Sequence, residues 1–270
     1  MPLTILKKTL PYKYQQTHAL LFIPNEKKKL KNSLALITHG YTSHKGSLLN
    51  WAMRMAEEGI PTALFDLPGH HLGNFSEVEN FEDFKNLAHV LFFEAHKILL
   101  NELSKIYPRF VYNDILFAGH SLGALMALKS YETKDLYPQN KNFHYICVGL
   151  GISDSQKTHI FETDFYKSTM SARSQLVSPA LKPENIFPWI REEKDNFKIT
   201  GQRIYLLAGE DDLVISRNGV NNLAKILNEN GNELIIEQVK HLPHHMPELA
   251  APHIKKHLRR IGILPEKKVL

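Results

Sequence analysis

Short runs of consecutive apolar residues alternate along this chain with stretches whose apolar positions recur every three or four residues. The runs fall at 34–37, 62–65, 115–118, 144–150, 203–207 and 234–239, and unbroken apolar runs of this length predict strands buried on both faces. Between them, helical spacing predicts helices over 47–58 (stopped by Gly59), 81–106, the stretch after Ser121 (Leu122, Leu125, Met126, Lys129), 220–227 and 249–260. A further apolar segment at 18–23, closed by Pro24, predicts a first strand at an edge of the sheet. Strands that alternate with helices pair in parallel through crossovers, so the pattern predicts an α/β class with a mostly parallel sheet covered on both faces.

The rhythm breaks between 152 and 200, where three prolines, clustered charge and the aromatics Phe161, Phe165, Tyr166, Phe187 and Trp189 occur without a strand pattern. This predicts an inserted helical segment, with a core of 1–151 before it and a second part of the core, 201–270, after it.

Composition narrows the picture. A length of 270 residues with 43% hydrophobic content suits one large α/β domain. The lone Cys147 lies in an apolar run and reads as a small buried hydrophobe. The amino-terminal stretch has no apolar leader pattern and no run approaches a membrane span, which leads to the expectation of a cytoplasmic protein. The net charge of +5 is spread over lysine clusters near turns, without the basic stripe and interleaved aromatics that nucleic-acid binding needs.

The candidate chemistry lies where strands end. The strand at 115–118 runs into Gly119-His120-Ser121-Leu122-Gly123 and then a helix. A serine in so tight a strand-to-helix turn lifts its hydroxyl above the sheet, and its neighbours two before and two after must be small. A serine is a poor nucleophile until a base takes its proton and a third group holds that base. Glu210, Asp211 and Asp212 follow the strand at 203–207, and His241, His244 and His245 follow the strand at 234–239. As a metal site the three histidines lack a matching carboxylate motif, so no metal is expected. His253 and His257, four apart on the last helix, read as an exposed polar face, and Arg173 as a surface arginine.

With these motifs in this order, His39-Gly40, Asp66-Leu67-Pro68-Gly69-His70, the Ser121 turn, Gly209-x-x-Asp212 and a late His245-Met246-Pro247, the sequence resembles the α/β-hydrolase superfamily over nearly its whole length. The resemblance implies an α/β-hydrolase fold with the segment 152–200 as a helical lid. It implies Ser121 as nucleophile, Asp212 as the acid that orients the base, His245 as the general base, and the backbone N–H groups of Tyr41 and Leu122 as the oxyanion hole. Two positions depart from the family pattern, His244 before the base and His71 after His70, where glycine is common. His39 and His120 read as imidazoles lining the substrate pocket, and Phe161, Phe165, Phe187 and Trp189 as its apolar wall. The implied activity is hydrolysis of a carboxylic ester of a small acyl substrate, with no cofactor. A thioesterase or amidase on the same residues, or a non-catalytic homologue that binds a small ligand, are the alternatives.

Overall fold

The computed structural model describes residues 2–152 and 164–266. Its eight strands are β1 (Leu3–Tyr12), β2 (Gln15–Pro24), β3 (Ser33–Thr38), β4 (Thr62–Phe65), β5 (Asp114–His120), β6 (Asn142–Val148), β7 (Arg203–Gly209) and β8 (Glu233–Val239). They form one sheet in the order β1-β2-β4-β3-β5-β6-β7-β8. The pairs from β4 to β8 are parallel, whereas β1–β2 and β2–β4 are antiparallel. All residues of β3 and β4 are buried, as the unbroken apolar runs require of strands covered on both faces.

The amino-terminal hairpin differs from the sequence expectation. The segment expected as an edge strand is β2, paired on both sides, and the edge is β1. Its inward-facing row includes Lys8, whose ammonium reaches Glu102 at 2.8 Å, and a lysine in that row hides the period-two alternation.

The helices are α1 (Leu49–Glu57), α2 (Phe81–Leu87), α3 (Leu91–Ile106), α4 (Leu122–Lys129), α5 (Asp164–Arg173), α6 (Pro183–Asp195), α7 (Arg217–Glu229) and α8 (Ala251–Arg260). The stretch expected as one helix over 81–106 is two, separated by a 3-10 turn at Ala88–Val90 that turns Ala88 and His89 inward. Trp51, Ala52, Met55, Ile254 and Leu258 of α1 and α8 pack on one face of the sheet; α3, α4 and α7 pack on the other. Helix α1 follows β3 and α4 follows β5, so the chain leaves two neighbouring strands towards opposite faces. The crevice between the carboxyl ends of such strands is where an α/β sheet opens to a ligand.

The last helix corrects a second expectation. His257 is 6% exposed because it lies three residues after Ile254, within the buried stripe, and its ring stacks on Tyr205 at 4.0 Å and 2°. His253, on the flank, reaches Glu237 at 3.3 Å.

The described part of the 152–200 segment is helical and tied to the core. Val177 forms a bridge with His70, the N–H of His71 donates to Leu176 O at 2.9 Å, and the N–H of Ser178 donates to Gly69 O at 2.9 Å. The Ser178 hydroxyl accepts from Val78 N–H and donates to Glu77 at 2.7 Å. Among the described residues no helix is long and apolar enough to cross a membrane.

Candidate active site

Ser121 sits between β5 and α4 with φ +52° and ψ −114°, a left-handed conformation that costs energy for any residue with a Cβ. Close packing imposes it. A Cβ on Gly119 would collide with the Gly123 carbonyl, and a Cβ on Gly123 would lie 2.5 Å from both Thr38 O and His39 O. The glycines flanking the turn are thus the only residues that let α4 start directly over β3. Ser121 itself is partly exposed, and its hydroxyl makes no hydrogen bond among the described residues. Before a substrate binds, such bonds are often long and tighten only in the complex.

Two backbone N–H groups face no acceptor beside it. Leu122 opens α4, so its amide is one of the unpaired donors of a helix start. Tyr41 follows Gly40, where an added Cβ would lie 3.2 Å from Ser121 Cβ, which brings the turn after β3 against the serine. The Tyr41 amide, like that of Leu122, has no hydrogen-bond acceptor among the described residues. Its hydroxyl donates to Leu181 O at 2.8 Å, tethering this turn to the 152–200 segment.

Asp212 follows β7 and is 8% exposed. Its Oδ1 accepts from the N–H groups of Val214 and Ile215, each at 2.8 Å, which fixes the carboxylate plane and aims Oδ2 away from its own loop. Oδ2 meets Nδ1 of His244 at 2.9 Å. Asp211 points elsewhere and accepts from Leu242 N–H at 3.1 Å, and Glu210 is exposed.

The histidine held by Asp212 is therefore His244. His245, the base implied by the sequence resemblance, is exposed and has no bond to Asp212. The turn after β8 passes through a left-handed His241 at φ +61° and buries Leu242, which sets His244 inward and sends its neighbour to solvent. The histidine bonded to Asp212 is thus one residue before the one that the resemblance implies as the base. The signal available was Leu242 two residues earlier, since a buried apolar anchor fixes which following side chain turns in.

His120 joins the site from the other side. Its ring is 4.7 Å from that of His244, and it is 7% exposed. Burial holds its pKa well below the ordinary value, and the neighbouring His244 lowers it further, so His120 is neutral. His39, in contrast, is fully buried beneath the site. Its Nδ1–H donates to Gly40 O at 2.8 Å and its Nε2 accepts from Leu67 N–H at 3.0 Å. Burial pushes its pKa down to about 3, and with both nitrogens used it clamps the turn and has none left for a ligand. The expectation that His39 lines a substrate pocket is corrected on that ground. Asp66, also buried, accepts from Lys45 N–H at 2.7 Å and from its ammonium, stapling the loops after β3 and β4.

The aromatic wall divides. Phe187 is half-buried and packs edge-on to Tyr41 at 5.4 Å, beside the unpaired Tyr41 amide. Trp189 is 3% exposed, edge-on to Phe81 and Phe84 at 5.9 Å each, and its Nε1–H donates to Glu193 at 2.9 Å. It packs α6 onto α2, so the expectation that it lines a pocket is corrected. Phe161 lies outside the described residues, as does the side chain of Phe165 on α5. Arg173 is exposed. Among the described residues no group of three or more His, Cys, Asp and Glu could hold a metal ion.

No protein-family model matches the sequence, and no curated protein matches it by sequence. Solved structures do match in fold. A thermostable carboxyl esterase from Bacillus coagulans has a TM-score of 0.63 at 15% identity, over 97% of this chain and 98% of that one. An esterase from Pyrococcus furiosus has a TM-score of 0.58 at 14% identity, over 96% and 90%. A serine hydrolase without a lid from Xanthomonas campestris has a TM-score of 0.53 at 14% identity, over 99% and 98%.

Proposed function

The chain has the α/β-hydrolase fold, and on that premise we propose that it is a serine hydrolase that cleaves a carboxylic ester through an acyl-enzyme on Ser121. The observation that carries this reading is the Asp212–His244 hydrogen bond of 2.9 Å, located on the loops that flank the strained Ser121 turn. Asp212 holds the Nδ1–H tautomer of His244, which leaves Nε2 as the free lone pair. In the proposed reaction Nε2 takes the Ser121 proton as Oγ attacks the ester carbonyl. The oxyanion that forms is met by the N–H groups of Tyr41 and Leu122, both without another acceptor. The imidazolium of His244 then gives its proton to the departing alcohol, leaving an acyl ester on Ser121. Water enters, gives a proton to His244 and attacks the acyl carbon; collapse releases the carboxylic acid and returns the proton to Ser121.

The exposed His245 takes no part in this scheme. The segment 152–200 acts as a lid whose contribution to the acyl pocket comes from Phe187, through its contact with Tyr41. Comparison with named esterases of the same fold supports the reaction class, and the site carries the assignment of residues. The experiment is mass spectrometry after treatment with a fluorophosphonate probe. A single adduct on Ser121, absent from His244→Ala, is the expected result. A folded sample that takes no adduct and turns over no p-nitrophenyl ester would overturn the reading.

A further inference from the structure

At the opposite end of the sheet from Ser121, the first residues of β6, β7 and β8 and the last turn of α8 line an open-mouthed cavity of about 480 Å³. In register across the sheet, His144 pairs with Arg203 and Arg203 with Glu233, while α8 contributes His257, Arg260 and the adjoining Ile261. His144 lies four residues before Val148, which is level with His120, so the cavity is roughly 13 Å along the strands from the serine turn.

Its floor holds two buried imidazoles with unused nitrogens. His144 is 4% exposed and His257 is 6% exposed, and Nδ1 of each is buried without a hydrogen-bond partner. Nε2 of His144 donates to Asp114 at 3.0 Å, so its Nδ1 carries a bare lone pair. A buried polar atom without a partner is costly, and the two rings that carry these atoms both border the cavity.

The rim carries cationic groups with capacity to spare. Arg203 uses Nε on Glu233 at 3.1 Å, which leaves its terminal nitrogens unbonded among the described residues. Arg260 is exposed and makes no ion pair among the described residues. Ile235 and Ile261 supply an apolar wall. We propose that this cavity is a ligand site, separate from the serine, for a small organic carboxylate whose charged end is held by Arg260 and Arg203 beside the two histidines and whose apolar end lies on Ile235 and Ile261.

The electrostatics favour that class over a cation or a neutral molecule. Glu233 is already matched by Arg203, so the unmatched charge at the rim is positive. The groups facing His257 are Tyr205, Glu237, His144 and Arg260; those facing His144 are Asp114, Arg203, Glu233 and His257. Burial lowers the pKa of His257 to about 4 and that of His144 below its ordinary value. An arriving carboxylate raises both, because its negative charge stabilises the imidazolium of each neighbouring ring. Binding therefore takes up protons between the free and the bound pKa, and affinity rises as the pH falls from 7 towards 5.

The test is calorimetric titration with hexanoate, with hexanol as the neutral control, while the imidazole signals of His144 and His257 are followed by NMR. Expected are saturable hexanoate binding that shifts both imidazoles, tightening at lower pH, and no such event with hexanol. Arg260→Ala, far from Ser121, should weaken binding roughly tenfold or more while leaving ester turnover unchanged. Absence of saturable binding, equal response to hexanol, or hexanoate binding that Arg260→Ala leaves unchanged each overturns the site. None of these outcomes depends on whether Ser121 is a nucleophile.

Discussion

Gly149 lies directly against the ring of His244: a Cβ built on it would fall 3.2 Å from His244 Cε1 and 3.1 Å from His120 Nε2. Its φ of +64° is one that a side chain resists, so the end of β6 is shaped to leave room for the two imidazoles. Gly149→Ala combines backbone strain with a displaced His244 ring, the proposed base. It should reduce kcat by roughly a hundredfold, the loss associated with misplacing a catalytic group by about an ångström. Melting temperature should change by only a few degrees. Steady-state kinetics beside a thermal melt checks this, and unchanged kcat in a folded variant would mean that the ring has freedom to move aside.

Adjacent residues in the two loops of the proposed site supply a direct comparison. Asp212 bonds His244, while Asp211 bonds Leu242 N–H and His245 is exposed. His244→Ala and Asp212→Asn should each lower kcat by about ten-thousand-fold with the fold intact. His245→Ala should stay within a few-fold of the parent, and Asp211→Asn within about tenfold. A larger loss at His245 than at His244 would return the base to the residue that the sequence resemblance implies.

What the sequence could carry follows from how strongly each residue is constrained. The central strands were legible because residues buried on both faces must be apolar throughout, as in β3 and β4. The serine turn was legible because Gly119 and Gly123 have no alternative at such close approach. β1 was not, because Lys8 on its inward face is neutralised by Glu102, a partner distant in sequence. The histidine partner of Asp212 was ambiguous for another reason. Periodicity does not extend through a turn containing a left-handed residue such as His241, so the direction of the next side chains depends on packing. Trp189 and His257 show a third limit: both have polar atoms and occur in mixed segments, yet helical spacing from Ile186 and Ile254 places each in a buried stripe.

Several imidazoles are buried neutral, which ties stability to pH. Burial lowers the pKa of His39 and His70 to about 3 and of His89, His96 and His257 to about 4. Unfolded, such groups titrate near 6.5. Below that value the unfolded chain binds more protons than the folded one, so stability falls as the pH drops from 7 through 5. The combined loss over that interval should be on the order of several kcal/mol. Urea titrations at pH 7 and pH 5 measure it directly, and coincident midpoints would show that these rings are charged or accessible in the folded protein.

Phe187 and Trp189 lie two apart on α6, yet their contacts predict opposite phenotypes. Trp189 is enclosed by Phe81 and Phe84 and bonded to Glu193, with no contact to the serine turn among its ring neighbours. Trp189→Ala should therefore destabilise by about 3–5 kcal/mol and leave the ranking of ester chain lengths unchanged in the fraction that remains folded. Phe187 is half-buried against Tyr41, the residue whose amide is proposed to meet the oxyanion. Truncating it opens apolar space next to the proposed oxyanion donor, so Phe187→Ala should shift the preferred acyl length while costing less stability. The shift should amount to roughly ten- to a hundredfold in relative kcat/KM between short and long p-nitrophenyl esters. Measuring both variants across one ester series separates packing from recognition. If Phe187→Ala scales every ester by the same factor, or if Trp189→Ala reorders them, the proposed acyl pocket does not lie along Tyr41 and Phe187.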